Sequence, residues 1–335
     1  MNKIDRVSGA IFADIATGRF PPGGKLPTLF ELEKVHDVSR ITINSCIKLL
    51  KANGLVTTKE RGGVFVSEQP AMLKKFAMLF PKSDFENRFL QTVFNVLREE
   101  SAKRKIEFEI FPDFEPHVDN SDYRKLLSEL ERMRIGGVAH ISMPSLPDNC
   151  DLLHFPGIPV INVSLSYQPN GIAYIDKCCD YLLSKKRKRI AVLLLGKSKM
   201  RAGFLEKRIR AGMASPDHWF VSAGKENAED ITRILLDYPK EKRPDGLIIS
   251  DDNLVDSALK GVFLSRVHVP EELEIVTHCN WPNPVASVIP VKRLGYDVRQ
   301  VVSMTIDNLL KYRGKSGLQH PEPIPLVPLF EEELK

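Results

Sequence analysis

The stretch VHDVSRITINSCIKLLKANGLV, residues 35–56, decides how the first fifth of this chain folds. At roughly 100° per residue, Ile43, Cys46, Ile47 and Leu50 fall on one face, so the segment is a helix that buries that face. Ser39 is its natural N-cap and Gly54 its stop. The opposite face carries Arg40, Ile41, Asn44, Ser45 and Lys48, with Lys51 at its edge. On an isolated helix such a face is ordinarily just solvated, but the flanking elements give it another role. Upstream, Ile4, Val7, Ile11 and Ile15 make a helical stripe, and RFPPGGKLP is a turn-rich connection. Thr28 and Glu31 form a capping box for a short second helix. Downstream, LVTTKERGGVFVS reads as two strands joined by a tight turn at Gly62-Gly63. Three helices and a hairpin, in that order, predict a winged helix-turn-helix over residues 1–70, with the third helix as its DNA-reading element.

Charge agrees with this division. Residues 1–70 hold ten Lys/Arg against seven Asp/Glu, a net +3, which leaves only +2 for the rest of the chain. That skew fits a small basic module on a near-neutral body. The five cysteines show no ligand spacing, so a reduced protein without a metal site is expected, and Cys178-Cys179 is read as packing. No apolar run reaches the roughly 20 residues of a membrane span, and the N-terminus lacks a signal-peptide core. A cytoplasmic protein with no membrane partner is expected. LLLGKSK lacks the glycine a phosphate loop needs, since position 191 is alanine. KKRKR (185–189) is read as an exposed turn. No metal-protease or serine-nucleophile motif is present, so neither an enzyme nor a cofactor is expected.

From Pro70 onward the pattern changes. Short apolar runs at 75–80, 106–111, 136–142, 158–163, 189–195, 219–224, 245–250 and 273–278 alternate with amphipathic segments such as NRFLQTVFNVLREESAKR and DYRKLLSELERMR. That alternation predicts an α/β body over residues 71–335, doubly wound, with parallel sheets in two lobes and a cleft between them.

GRFPPGGKLPTLFELEKVHDVSRITINSCIKLLKANGLVTTKERGGVFV resembles the winged-helix head of the GntR family of bacterial transcription regulators. The resemblance rests on G-x-F-x-P-G-x-K-L-P, the following E-L, V-S-R-x-T, L-x-x-x-G-L-V and the G-x-F-V wing. It implies that the V-S-R helix enters the major groove and that the wing touches the minor groove or backbone. Arg40 and Thr42 match the family's DNA-contacting positions, and Gly62 matches the wing glycine. Candidate DNA contacts are Thr28, Arg40, Ile41, Thr42, Asn44, Ser45 and Lys48, with Arg61 and Gly62 on the wing. Two positions depart: Thr28-Leu29-Phe30 replaces Ser-x-Arg, and Asn44 stands where a second arginine often follows.

The body resembles the ligand-sensing half of LacI-type repressors, the periplasmic-binding-protein type I fold. The segments behind this are GGVAHIS…GIPVINVS, KRKRIAVLLLGK, MRAGF, RPDGLIISDDNLVDSAL, VPEELEIVTHCN and the late VASVIPVKRLGYDVRQVVSMTIDNLL. The resemblance implies a repressor that binds a double-stranded operator as a homodimer, under control of a small effector, a sugar or sugar derivative. Asp252 matches a sugar-binding aspartate. Arg201 is a candidate beside Met200, which occupies the usual arginine position. Ser83, Asp84, Phe85, Asn280 and Trp281 fall on expected cleft loops, and Trp281 could equally pack against Pro282. IDKCCDYLL departs from the usual crossover-helix start. The alternative is a DNA-binding dimer whose body has lost small-molecule binding.

Overall fold

The computed structural model describes residues 3–59, 62–81, 87–112, 114–115, 120–141, 146–167, 172–196 and 200–334. The head consists of α1 (Lys3–Ala16), α2 (Leu29–His36), α3 (Arg40–Ala52), β1 (Val56–Lys59) and β2 (Gly63–Val66). Then come β3 (Lys75–Leu79), α4 (Arg88–Arg104), β4 (Glu107–Phe111), α5 (Ser121–Glu131), β5 (Val138–Ile141), β6 (Pro159–Val163) and β7 (Leu165–Tyr167). The next elements are α6 (Ala173–Ser184), β8 (Ile190–Leu195), α7 (Met200–Arg210), β9 (Phe220–Ala223), α8 (Ala228–Leu236), β10 (Gly246–Ile249) and α9 (Val255–Leu264). The last are β11 (Glu274–Trp281), β12 (Lys292–Asp297), α10 (Val298–Lys311), β13 (Gly317–Gln319), β14 (Ile324–Leu326) and β15 (Leu329–Phe330).

Two compact units emerge. The first comprises Met1–Asp84, Leu97–Ser164 and Val302–Pro323; the second comprises Phe85–Val96, Leu165–Val301 and Ile324–Lys335.

In the first unit the head's helix signals are realised. The Thr28 side chain accepts from the Glu31 amide while Glu31 reaches back to the Thr28 amide at 2.7 Å. Ser39 caps α3 by accepting from the Thr42 amide, and Ile43, Cys46, Ile47 and Leu50 are buried. Asp37 sits in the left-handed region (φ 49°), which turns the chain between α2 and α3 within three residues. The β1–β2 register pairs Lys59 with Gly63, so Gly63 opens the second strand and is not part of the turn, unlike the expected Gly62-Gly63 turn. The same unit holds a parallel sheet in the order β13-β6-β5-β3-β4. One continuous apolar core joins head residues such as Ile11, Phe12, Ile43 and Leu50 to sheet residues such as Ala77, Val138 and Val160. The joint is close: a Cβ at Gly9 on α1 would lie 2.2 Å from Pro156 Cβ, so only glycine lets α1 seat there.

The second unit has a six-stranded sheet ordered β15-β12-β11-β10-β8-β9, parallel except for β15. Alternation along the strands builds a core on each face. Ala191, Leu193, Leu247, Ile249 and Ile275 pack with α8 and α9 residues. Ile190, Val192, Leu194, Ile248 and Val276 pack with α6 and α7 residues, including Cys178 and Cys179. Each fully buried aliphatic side chain contributes about 1.5–3 kcal/mol, so the two-faced apolar strand is a strong determinant of this layer. Arg187 and Arg189 of the basic run are tied down, Arg187 to the Pro270 and Glu271 carbonyls and Arg189 to Asp245.

Candidate functional site

Two surfaces carry the candidate residues. On the first unit, α3 exposes Arg40, Ile41, Asn44 and Lys48, with Ile41 78% exposed. An aliphatic side chain left in water on an otherwise well-packed helix is available for contact with another molecule. Arg40 Nε donates to Glu33 Oε1 at 2.6 Å. Thr42 and Ser39 share a hydroxyl contact at 3.1 Å, and the Ser45 hydroxyl donates to the Ile41 carbonyl at 3.0 Å. Lys51 reaches the hairpin, donating to the Thr58 hydroxyl at 2.9 Å. The Thr28 hydroxyl is committed to the capping box, and the Thr28 amide and hydroxyl together hold the Glu31 carboxyl below its ordinary pKa. At the wing, Gly62 follows β1, and Phe65 lies under the ammonium groups of Lys25 and Lys59. Arg61 lies outside the described residues.

On the second unit, a cavity of about 750 Å³ opens at the carboxyl ends of β8, β10, β11 and β12. Asp251 and Asp252 follow β10; His278 and Asn280 come from β11, and Tyr296 from β12. Carboxyl ends of parallel strands are where α/β sheets place ligands, and this volume fits a small molecule. Asp252 is only 2% exposed and accepts from Asn280 Nδ2 at 2.7 Å. Burial raises its pKa, opposed by the nearby His278 and by the Asn280 hydrogen bond. Asp251 is bridged by Asn253, whose backbone and side-chain nitrogens both donate to it, at 2.9 and 2.8 Å. Asn253 in turn accepts from the Arg88 amide at 3.1 Å.

Aromatic rings also line the cavity. Tyr174 and His278 meet edge to face at 5.3 Å, Tyr167 and Tyr296 at 5.2 Å, and His278 and Tyr296 lie 5.7 Å apart. His278 Nδ1 has no hydrogen-bond partner among the described residues, and the Tyr174 hydroxyl has none beyond the Cys178 thiol. Burial holds the His278 imidazole below its ordinary pKa, favouring the neutral ring. Carboxylate acceptors, amide and hydroxyl groups and ring faces together suit a ligand with hydroxyls and an apolar face.

Of the candidates read from sequence, Asp252 and Asn280 come together here. Two others do not. Trp281 is turned away, 2% exposed with its indole nitrogen donating to the Leu329 carbonyl at 3.1 Å, so it is a packing residue. Strand alternation explains this, since neighbours on β11 face opposite sides. Arg201 donates to the Phe220 carbonyl at 3.2 Å and stacks over that ring, while Met200 lines the cavity. One residue on a helix is a 100° rotation, so adjacency to the expected position did not place Arg201 in the site. Ser83, Asp84 and Phe85 lie outside the described residues. Tyr167, Tyr174, Tyr296 and His278 carry no motif, and Asn253 was passed over beside Asp252 in SDDN. Among the described residues no cluster of metal-ligating residues occurs and no helix is long and apolar enough to cross a membrane.

A winged helix-turn-helix joined to a doubly wound ligand-binding fold defines a DNA-binding transcriptional regulator. Residues 3–66 match the bacterial regulatory proteins of the gntR family, and residues 179–322 match the periplasmic binding protein-like domain. The arabinose metabolism transcriptional repressor of Halalkalibacterium halodurans is 24% identical, over 95% of this chain and 92% of its own length. A LacI family transcriptional regulator from Lactobacillus casei, solved with bound sucrose, matches at TM-score 0.54 and 17% identity, covering 77% of this chain and 98% of that one. A LacI transcriptional regulator from a Rhodococcus species matches at TM-score 0.56 and 15% identity, over 77% and 96%. The chain thus pairs a gntR-type DNA-binding head with a periplasmic-binding-protein-like body, the make-up of a transcriptional regulator.

Proposed function

We propose that this regulator is a repressor whose DNA affinity is set by a neutral sugar or similar polyol bound in the cavity of the second unit. The observation that carries this is the buried Asp252–Asn280 pair inside a 750 Å³ cavity that also holds the underused Tyr174 hydroxyl and His278 nitrogen. A body that had lost its ligand would gain stability by replacing such groups with apolar ones. The sugar-bound Lactobacillus casei regulator and the arabinose repressor support a carbohydrate as the ligand class.

In this reading residues 1–70 are the DNA-binding domain and 71–335 the effector-binding and dimerisation domain. Arg40, Ile41, Thr42, Asn44 and Lys48 face the major groove, and the wing around Gly62 contacts the backbone or minor groove. The operator is pseudo-palindromic and read by a homodimer, with half-sites about 34 Å apart or a multiple of that. Exposed apolar side chains support self-association: Ile234 (64% exposed) and Leu264 (46%) border one depression between α8 and α9, among Asp230, Arg233, Asp237 and Arg266, and Phe263 (70%) precedes Leu264 in sequence. A ligand controls the repressor only by binding one conformational state better than the other. A thermal-shift screen against neutral mono- and disaccharides tests the proposal: stabilisation by at least one is expected. A flat response to the whole panel would favour the reading in which the body only dimerises.

A further inference from the structure

Glu33 occupies a particular place in the head. Its backbone carbonyl accepts from the Asp37 and Val38 amides, closing the C-terminus of α2 at the turn. Its carboxylate crosses that turn and accepts from Arg40 Nε at 2.6 Å. No other described residue hydrogen-bonds to the guanidinium, so its two Nη groups remain open to solvent beside the exposed Ile41 and Asn44. An arginine gripped at Nε offers the planar Nη edge, the geometry that pairs bidentately with guanine or phosphate.

We infer that Glu33 is a positioning residue for DNA readout, fixing the Arg40 guanidinium before binding and adding a negative charge that penalises loosely docked DNA. The inference rests on the reading of α3 as the groove-entering helix. Two physical effects act together. Holding a rotamer-rich side chain in its bound geometry removes part of the ordering entropy that binding otherwise costs. A carboxylate at the edge of the DNA-facing surface repels phosphates unless Arg40 is engaged with its proper partner, which favours discrimination over raw affinity. An exposed ion pair adds little to stability, so the pair's effect falls on recognition.

The test uses the full-length protein and an operator obtained by its own selection from random-sequence DNA. Affinities for that operator and for random DNA are measured across a salt series for the wild type, Glu33→Ala, Glu33→Gln and Arg40→Ala. Glu33→Ala is expected to lower the ratio of operator to random-DNA affinity by about three- to tenfold. Glu33→Gln, whose amide oxygen still accepts from Nε, is expected to recover most of that ratio while binding random DNA more tightly than the wild type. Unchanged far-UV circular dichroism separates these effects from misfolding. An unchanged ratio in Glu33→Ala, including a parallel rise of both affinities, overturns the positioning role, as does failure of Glu33→Gln to recover it. If Arg40→Ala binds the operator like the wild type, the assignment of α3 itself fails, and the inference with it.

Discussion

Asn280 donates to Asp252 over 2.7 Å in a setting where both side chains are almost wholly buried, at 3% and 2% exposure. Burial of the carboxylate raises its pKa above the ordinary 3.8, so its ionised form strains the folded state at neutral pH. Asp252→Asn is therefore expected to raise the melting temperature of the ligand-free protein. The gap between variant and wild type should be largest at neutral pH and should close as pH falls through the raised folded pKa, where the wild-type carboxyl takes up its proton. Ligand binding should weaken by about 1.5–3 kcal/mol, the range for hydrogen bonds to a charged group. Scanning calorimetry at several pH values, with titration calorimetry of a binding sugar, measures both.

His140 on β5 is fully buried with neither ring nitrogen hydrogen-bonded to a described residue, and burial lowers its pKa to about 4. Between the ordinary value of 6.5 and about 4, the unfolded chain holds a proton that the folded chain does not. Stability should therefore fall as pH drops through that window, by about 3 kcal/mol from this one residue. His140→Leu should flatten that part of the profile, as read by urea unfolding from pH 7 to pH 4.

Asn44 stands exposed on α3 where related heads often carry arginine. Asparagine pairs bidentately with adenine, and exposed Ile41 can meet a thymine methyl. Selection from random DNA should return an A·T pair at one position of each half-site. Asn44→Arg should move that position to G·C, with a discrimination of about 1–3 kcal/mol. Unchanged preferences in the variant would remove Asn44 from the reading surface.

Exposed Ile234 and Leu264, set among Asp230, Arg233, Asp237 and Arg266 between α8 and α9, predict the assembly. Ile234→Glu places a charge where Ile234 and Leu264 are proposed to meet the second subunit. Light scattering should then report the 37.8 kDa protomer instead of a dimer, with operator affinity reduced accordingly. A dimer that survives the change locates the interface elsewhere.

The head was legible because its signals are local: the Thr28–Glu31 box, the Ser39 cap and the Ile43/Cys46/Ile47/Leu50 face each lie within one helix or its cap. Eight of the body's strands, β3–β6 and β8–β11, were legible as short apolar runs, most plainly where burial on both faces makes the run continuous, as in β8; the six-residue β12, KRLGYD, carries no such run and was not expected. The short β7, β13, β14 and β15, of two or three residues, exist through pairing with distant partners such as Leu165 with Ile324, and no window of sequence carries that. The cavity was only partly legible for the same reason. SDDN pointed to Asp252, but Tyr167, Tyr174 and Tyr296 are ordinary aromatic residues until the sheet gathers them. Trp281 and Arg201 show the limit of reading by adjacency, since a single residue's displacement reverses a strand side or turns a helix face.

The central claim is that occupancy of the Asp252 cavity controls DNA binding. Its most direct test is operator affinity, measured by fluorescence anisotropy with and without a sugar that stabilises the protein, for the wild type and Asp252→Asn. The account predicts at least a fivefold change in wild-type operator affinity, in line with coupling energies of about 1–3 kcal/mol, and little or no change in the variant. A sugar that binds the wild type yet leaves its operator affinity unaltered, or one that shifts the variant equally, would contradict it.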